Sequence, residues 1–399
     1  MNVAKKLGLN SNDLQWCALF FAIWRVGLFL LGSIANFFLA YKPTFPYVHE
    51  LLVSTGLPQW LYSWGNFDGV HYITIAEHGY VGTGLIQAFF PLLPYVLLHI
   101  PYVLMGSFPI LLVGLVLTNF FGVLFLFSWF ALLKLEFGEK TAKWGSAILF
   151  LFPTAFFFGA LYTESLFLFL TVIAFLCARK KYWFHAAFFA GFAMTTRVVG
   201  VLLLPALMLE LFLQYREQFP KYSLRNFFIT QKKQLGFLLF SPLGLVIFMW
   251  FLFQEFHDPL YFLHVQSEFG AGRTEGITLY PQVVWRALKI LFTARPMDFR
   301  YLIYIQEAVS GILGLIGIFL SLKYIRPSYV LFSLMAFLVP TFTGTFSSMS
   351  RYLLVSFSLW MLLGVVFAKK EKIGWMWLLG STIVLIFNTI LYIQGYWVA

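Results

Sequence analysis

Apolar runs dominate this chain, and their lengths set the first expectation. They occupy residues 14–40, 108–133, 235–256, 302–322, 328–345, 352–368 and 373–395. A helix needs about 20 apolar residues to cross a bilayer, so each run reads as a transmembrane span. Two longer runs, 144–178 and 183–213, are interrupted by Tyr162-Thr163-Glu164 and by Thr195-Thr196-Arg197. Each is either one over-long helix or a tight pair of short ones. Residues 87–106 are also apolar, but Pro91, Pro94 and Pro101 predict a broken, interfacial or re-entrant element that does not cross.

Charge chooses among these layouts. If both interrupted runs are helix pairs, residues 1–13, 134–143, 179–182, 214–234, 323–327 and 369–372 share one side and hold 18 of the 27 Lys and Arg. Counting 183–213 as a single span would place the basic loop after it outside, against the positive-inside rule. The expectation is an all-α multi-pass membrane protein, one integral-membrane unit over 1–399, with about eleven spans, the N-terminus inside and the C-terminus outside. Its first outer loop covers 41–107, with juxtamembrane helices, and its second covers 257–300.

Composition agrees. Hydrophobic residues make up 61% of the chain and charged residues 11%, against about 25% charged in soluble domains. The formal charge of +11 then reads as cytoplasmic-loop Lys and Arg rather than a nucleic-acid surface, and nucleic acid is not an expected partner. Cys17 and Cys177 lie inside apolar runs and read as packing residues. The first run carries no small-residue cleavage site and reads as a span rather than a signal peptide.

In this layout the remaining polar residues collect on the outer side. Asp68, His71, Glu77, His78, Glu164, Arg197, Asp258, His264, Glu268, Arg273, Arg295 and Arg351 all fall at outer helix ends or in outer loops. A transporter would place such groups near mid-membrane. Each has a plainer reading. Asp68 is a good N-cap for a juxtamembrane helix, and Glu164 suits a helix start. Arg197 and Arg351 can snorkel to headgroups or hold a phosphate with the guanidinium fork. Asp68, His71, Glu77 and His78 could ligate a divalent metal but lack the tight spacing of a dedicated site, so a metal is not the favoured reading and no other cofactor is expected. His49, His99 and His185 read as interfacial or packing residues, and Arg25, inside the first span, needs a partner.

Five stretches, in order, carry a resemblance: FDGVHYITIAEHGY with AFFPLLP (67–94), FPTAFFFGALYTESLF (152–167), TTRVVGVLLLP (195–205), HDPLYFLHVQSEFGAGR (257–273) and TGTFSSMSRYLL (343–354), with the apolar spans between them. Together they resemble the second mannosyltransferase of GPI-anchor assembly, the PIG-V type, and its prokaryotic relatives. These belong to the GT-C glycosyltransferases, multi-spanning enzymes that take a sugar from a polyprenyl-phosphate carrier and invert its anomeric centre on the non-cytosolic side. Where that family carries Trp before the acid, this chain has Phe67, which keeps a ring for sugar stacking and loses the indole N–H.

The resemblance implies a membrane glycosyltransferase transferring mannose or another hexose, with Asp68 as the catalytic base. His71, Glu77, His78 and Glu164 would orient hydroxyls, and Arg197, Arg351 and Arg273 would take the leaving phosphate, with Tyr352 beside them. Asp258, Gln266 and Arg273 sit on the second outer loop, whose Gly270, Gly272 and Gly276 would let it move. The implied partners are a polyprenyl-phosphate sugar donor, membrane lipids and a glycan, lipid or protein acceptor. The location would be a prokaryotic plasma membrane with the site facing outside, or the ER membrane in a eukaryote. The rival readings are a transporter or lipid flippase, which would tolerate substitution of Asp68, and a non-catalytic membrane scaffold.

Overall fold

The computed structural model describes residues 7–43, 45–105, 109–219, 221, 223–269, 273–274, 276–294 and 299–398. Arg295, Gly270 and Gly272 lie outside them. The fold is helical, with no strand among the described residues. Its principal helices are α1 (Ser11–Ile34), α2 (Asp68–His78), α3 (Ile110–Phe137), α4 (Glu139–Phe150), α5 (Glu164–Arg179), α6 (Trp183–Met194), α7 (Leu203–Gln218), α8 (Lys232–Phe240), α9 (Leu243–Phe256), α10 (Tyr280–Thr293), α11 (Phe299–Ser321), α12 (Pro327–Thr341), α13 (Met349–Leu353), α14 (Phe357–Lys369) and α15 (Glu371–Ile393).

Among the described residues, six helical stretches are long and apolar enough to cross a membrane: Ser11–Phe37, Ile110–Phe137, Val198–Gln218, Lys232–Phe256, Phe299–Ser321 and Glu371–Ile393. The chain is an integral membrane protein. Trp183–Met194, Pro327–Thr341 and Phe357–Lys369 are apolar but shorter. The expected count of eleven spans depends on such shorter helices, whose length alone does not give them that status. Both interrupted runs do break where expected, between α4 and α5 and between α6 and the helix beginning at Val198.

Residues Leu92–Leu104 form a short apolar helix, and its first part is a π-helix over Leu92–Leu98. Val96 N donates to Pro91 O, a five-residue spacing that the proline-rich sequence favours over a regular ladder. Thirteen residues rise only about 20 Å, short of a hydrocarbon core about 30 Å thick.

Helix α1 shows how the bundle sorts its faces. Cys17, Phe21, Trp24, Arg25, Leu28 and Gly32 are buried at helical intervals, while Leu19, Ile23, Val26 and Leu30 are exposed on the opposite side. With lipid as solvent, the exposed stripe needs no protein partner. Arg25 finds its partners in rings: its guanidinium carbon lies 3.9 Å from the Phe29 centroid and 4.2 Å from that of Trp64. Desolvated cation–π contacts of this kind contribute about 2 kcal/mol or more.

Charge gathers at the two ends of the bundle. At one end, buried Glu210 on α7 accepts from Arg326 Nε at 2.6 Å, Ser328 Oγ at 2.7 Å and Arg179 Nη1 at 3.3 Å. Glu136, at the end of α3, accepts from Arg179 Nε at 2.7 Å and Tyr329 Oη at 2.8 Å. Lys134 and Asp13 pair at the same end. This network ties α3, α5, α7 and α12 together where each has a terminus. Asp68, Glu164, Arg197 and Arg351 meet at the other end.

Candidate active site

The turn before α2 is fixed by aromatic packing and hydrogen bonds. Phe67 has φ 60° and ψ −114°, a conformation that costs a non-glycine residue about 1–3 kcal/mol. Its buried ring meets Phe45, Tyr392 and Trp397 at centroid distances of 5.6, 5.8 and 5.4 Å. Asn66 Nδ2 donates to Tyr392 O at 2.9 Å, and Tyr162 and Tyr392 each donate a hydroxyl to Asn66 O at 3.2 Å. Packing and bonding therefore hold Phe67 in its strained turn, which presents Asp68 as the first residue of α2.

The capping role open to Asp68 in the sequence is not the one it takes. No side chain caps α2, and Asp68 Oδ2 instead accepts from Arg351 Nη1 at 2.7 Å. Arg351 stands on the short helix α13, entered through Ser348 with φ 65°. Arg351 Nε lies 3.5 Å from Glu164 Oε1, which in turn accepts from Arg197 Nη1 at 2.5 Å. Four charges thus alternate in a row: Asp68, Arg351, Glu164, Arg197. Glu164 is 1% exposed and opens α5, where the helix dipole favours an acid. Arg197 occupies the turn between α6 and the helix beginning at Val198, and its Nη1 also reaches Thr163 Oγ1 at 3.4 Å.

Burial works against the charges of Arg351 and Arg197. The acids beside them outweigh it, Asp68 and Glu164 for Arg351 and Glu164 for Arg197, so both pKa values stand above the ordinary one. Both guanidinium groups are held charged. Tyr352 reports the resulting field: burial favours its neutral phenol, yet Arg273, Arg351 and Arg197 hold its pKa below the usual value. Arg273, Arg351 and Arg197 outnumber the two acids of the row, so the field at Tyr352 suits an anion.

These groups border a cavity of about 250 Å³, whose wall includes Asp68, Tyr72, Thr163, Arg197, Gln266, Arg273, Ser348, Arg351, Tyr352 and Trp397. The second outer loop forms part of it: Arg273 Nη1 donates to Gln266 Oε1 at 2.8 Å and its guanidinium lies over Phe269. That loop is tied to the chain before α13, because Thr274 N donates to Thr343 O and Thr278 N to Phe342 O. Apolar rings from Phe89, Phe90 and Phe262 complete the wall. A separate apolar groove of about 420 Å³ runs along α6, α8 and α9 between Phe184, Phe188, Phe192, Phe237, Phe240 and Leu243. Thr195, two residues before Arg197, is part of its lining.

Of the residues singled out in the sequence, Asp68, Arg197, Gln266, Arg273, Arg351 and Tyr352 meet at the cavity, with Glu164 buried behind the two arginines. His71 stands one turn along α2, packed by Phe45, Phe89 and Phe269. Burial lowers its pKa, with Asp68 opposing. Glu77 and His78 pair with each other at 3.8 Å beyond the cavity wall, His78 well exposed. Asp258 is also outside the wall: its carboxylate accepts from Leu260 N at 2.9 Å and lies 2.6 Å from His264 Nδ1. Among the described residues no group of three or more His, Cys, Asp or Glu side chains is placed to hold a metal ion.

Several cavity residues escaped the sequence reading. Tyr72 and Thr163 adjoin recognised positions inside polar motifs and could have been found there. Trp397, far along the chain in an unremarkable tail, gave no signal; its ring meets Phe67 edge-on and supplies an indole next to the position where an aromatic precedes Asp68.

No protein-family model matches the chain, and no curated protein matches it. Solved structures do. The archaeal oligosaccharyltransferase of Archaeoglobus fulgidus in its apo form superposes with a TM-score of 0.46 at 14% identity, over 95% of this chain and 56% of that one. ArnT from Cupriavidus metallidurans, solved bound to undecaprenyl phosphate, superposes with a TM-score of 0.50 at 12% identity, over 96% of this chain and 76% of that one. At that identity the likeness speaks for architecture: the chain has the helical membrane fold of GT-C type seen in ArnT.

Proposed function

We propose that this protein is an inverting membrane glycosyltransferase that takes a hexose, mannose or another, from a polyprenyl-phosphate donor. The observation that carries the reading is the row Asp68–Arg351–Glu164–Arg197 on the wall of a cavity bordered by aromatic rings. The shared fold with ArnT, whose structure holds undecaprenyl phosphate, supports the class of donor.

In the proposed transfer, an acceptor hydroxyl attacks the anomeric carbon as the bond from that carbon to the phosphate oxygen breaks. The hydroxyl proton passes to Asp68, and polyprenyl phosphate leaves with the bonding electron pair. Arg197, Arg351 and Arg273 balance the charge that develops on it, with the Tyr352 hydroxyl close by. At rest Arg351 bonds one oxygen of Asp68, Oδ2, and the donor phosphate would compete with that carboxylate for the guanidinium. Phe269 and Trp397 offer faces for the sugar ring. The apolar groove lined in part by Thr195 offers a trough for the prenyl chain. Glycan, lipid or protein acceptors all fit this chemistry. The site would face the non-cytosolic side, outside a prokaryotic plasma membrane or in the ER lumen of a eukaryote.

The test uses purified protein in nanodiscs, a panel of polyprenyl-phosphate sugars with candidate acceptors, and release of polyprenyl phosphate as the readout. Asp68→Asn is expected to lower turnover by about 10²–10⁴-fold, the usual worth of a positioned general base, while keeping the fold. Equal turnover in the two proteins would remove Asp68 from the chemistry.

A further inference from the structure

Glu307 lies on α11, a membrane-spanning helix, and is 6% exposed. A carboxylate there is costly unless its oxygens are satisfied. Both are: Oε2 accepts from Ser350 N at 3.0 Å and Oε1 from Ser350 Oγ at 2.9 Å. Ser350 directly precedes Arg351. Its hydroxyl also accepts from Gln306 Nε2 at 3.2 Å, and Gln306 Oε1 accepts from Asn388 Nδ2 on α15 at 2.8 Å. Its carbonyl accepts from Thr154 Oγ1 at 2.9 Å, on the segment that leads into Glu164. Helix α13 has only five residues and begins at the strained Ser348. Its own hydrogen bonds are too few to fix the direction of Arg351.

We infer that Glu307 is a positioning residue that sets Arg351 against Asp68 and against the donor phosphate by gripping Ser350 from α11. The inference rests on the reading of the cavity as a carrier-phosphate site. Methionine at 307 fills a similar volume but offers Ser350 no oxygen, so both contacts are lost and Arg351 samples directions that a point contact to Asp68 does not correct. A carboxamide instead keeps an oxygen for Ser350 N and an N–H that the Ser350 hydroxyl can accept.

The experiment measures binding of undecaprenyl phosphate to the full chain in nanodiscs, beside the unfolding temperature of each variant. Glu307→Met is expected to bind about tenfold more weakly (the cost of the lost polar contacts) with an unfolding temperature near that of wild type. Glu307→Gln, which can keep both Ser350 contacts, is expected to regain most of that loss. Should Glu307→Met fail to fold, Ser350→Ala removes the hydroxyl with its bonds to Glu307 and Gln306, keeps the backbone bond, and is expected to weaken binding about threefold. Wild-type affinity in the folded variants, or a loss that tracks unfolding and is not recovered by Gln, would overturn the positioning role. Absence of binding by the wild-type protein would instead overturn the carrier reading, and this inference with it.

Discussion

At the scale of single residues, His71 offers a signal separate from the chemistry. Its folded pKa lies below the ordinary 6.5 because burial disfavours the imidazolium. Below 6.5 the unfolded chain therefore binds a proton that the folded one resists. The sign follows: His71 costs no stability above that pH, and stability is lost as pH falls from 6.5 through the depressed folded value. Thermal unfolding in nanodiscs is expected to show a shallower loss below pH 6.5 in His71→Phe than in wild type. Identical slopes would mean the imidazole is not held neutral. At this scale the sequence was partly legible. Asp68, Arg197 and Arg351 could be picked out because charge is expensive in an apolar chain. The same rule picked out Glu77, His78 and Asp258, which satisfy one another or their own loops beyond the cavity wall. Nothing local separates a charge that faces a cavity from one that faces solvent.

At the scale of elements, the decisive parts are short and irregular. Arg197 stands in a turn whose neighbour Gly200 has no room for a side chain: an added Cβ would lie 2.5 Å from Ala193 O and 2.7 Å from Met194 Cα. These are backbone atoms of the preceding turn and cannot swing aside. Gly200→Ala is accordingly expected to push the Thr195–Arg197 turn away from Glu164. Undecaprenyl phosphate binding should fall several-fold although Gly200 bears no side chain toward the cavity, and unchanged affinity would show the turn to be pliant. Breaks such as this one were readable from polar triplets inside apolar runs. The five-residue helix carrying Arg351 was not, since SSMSRYLL has no helical period to reveal it and its course is set by contacts from α11 and the 151–163 segment.

For the whole molecule, the separation of two charged ends bears on orientation. The Glu136–Arg179–Glu210–Arg326 network holds helix termini at one end, and the cavity occupies the other. Removing one partner from a buried pair within that network would leave an uncompensated charge, at a cost of about 3–5 kcal/mol. Under the proposed orientation, which follows the Lys and Arg bias, the network end faces the cytosol. A cysteine placed at exposed Val81 should then react with a membrane-impermeant maleimide added outside intact cells, and one placed at Lys233 only after lysis. The opposite pattern would put the cavity in the cytosol and end the non-cytosolic reading. The helical membrane class was evident from apolar run length, because lipid imposes that constraint on every span at once. The pairing of elements distant in sequence, such as α2 with α13, follows from packing that no local pattern records.

The Asp68–Arg351 contact has a further consequence under the proposed transfer. Without donor, the acid stands in for the phosphate as the counter-ion of Arg351. Once Asp68 has taken the acceptor's proton it is neutral and can no longer compete for Arg351, and the spent carrier keeps its grip. Only when that proton escapes does the carboxylate reclaim the arginine. Turnover would then be paced by a discharge step after bond exchange, and the same residue that starts the reaction would evict its by-product.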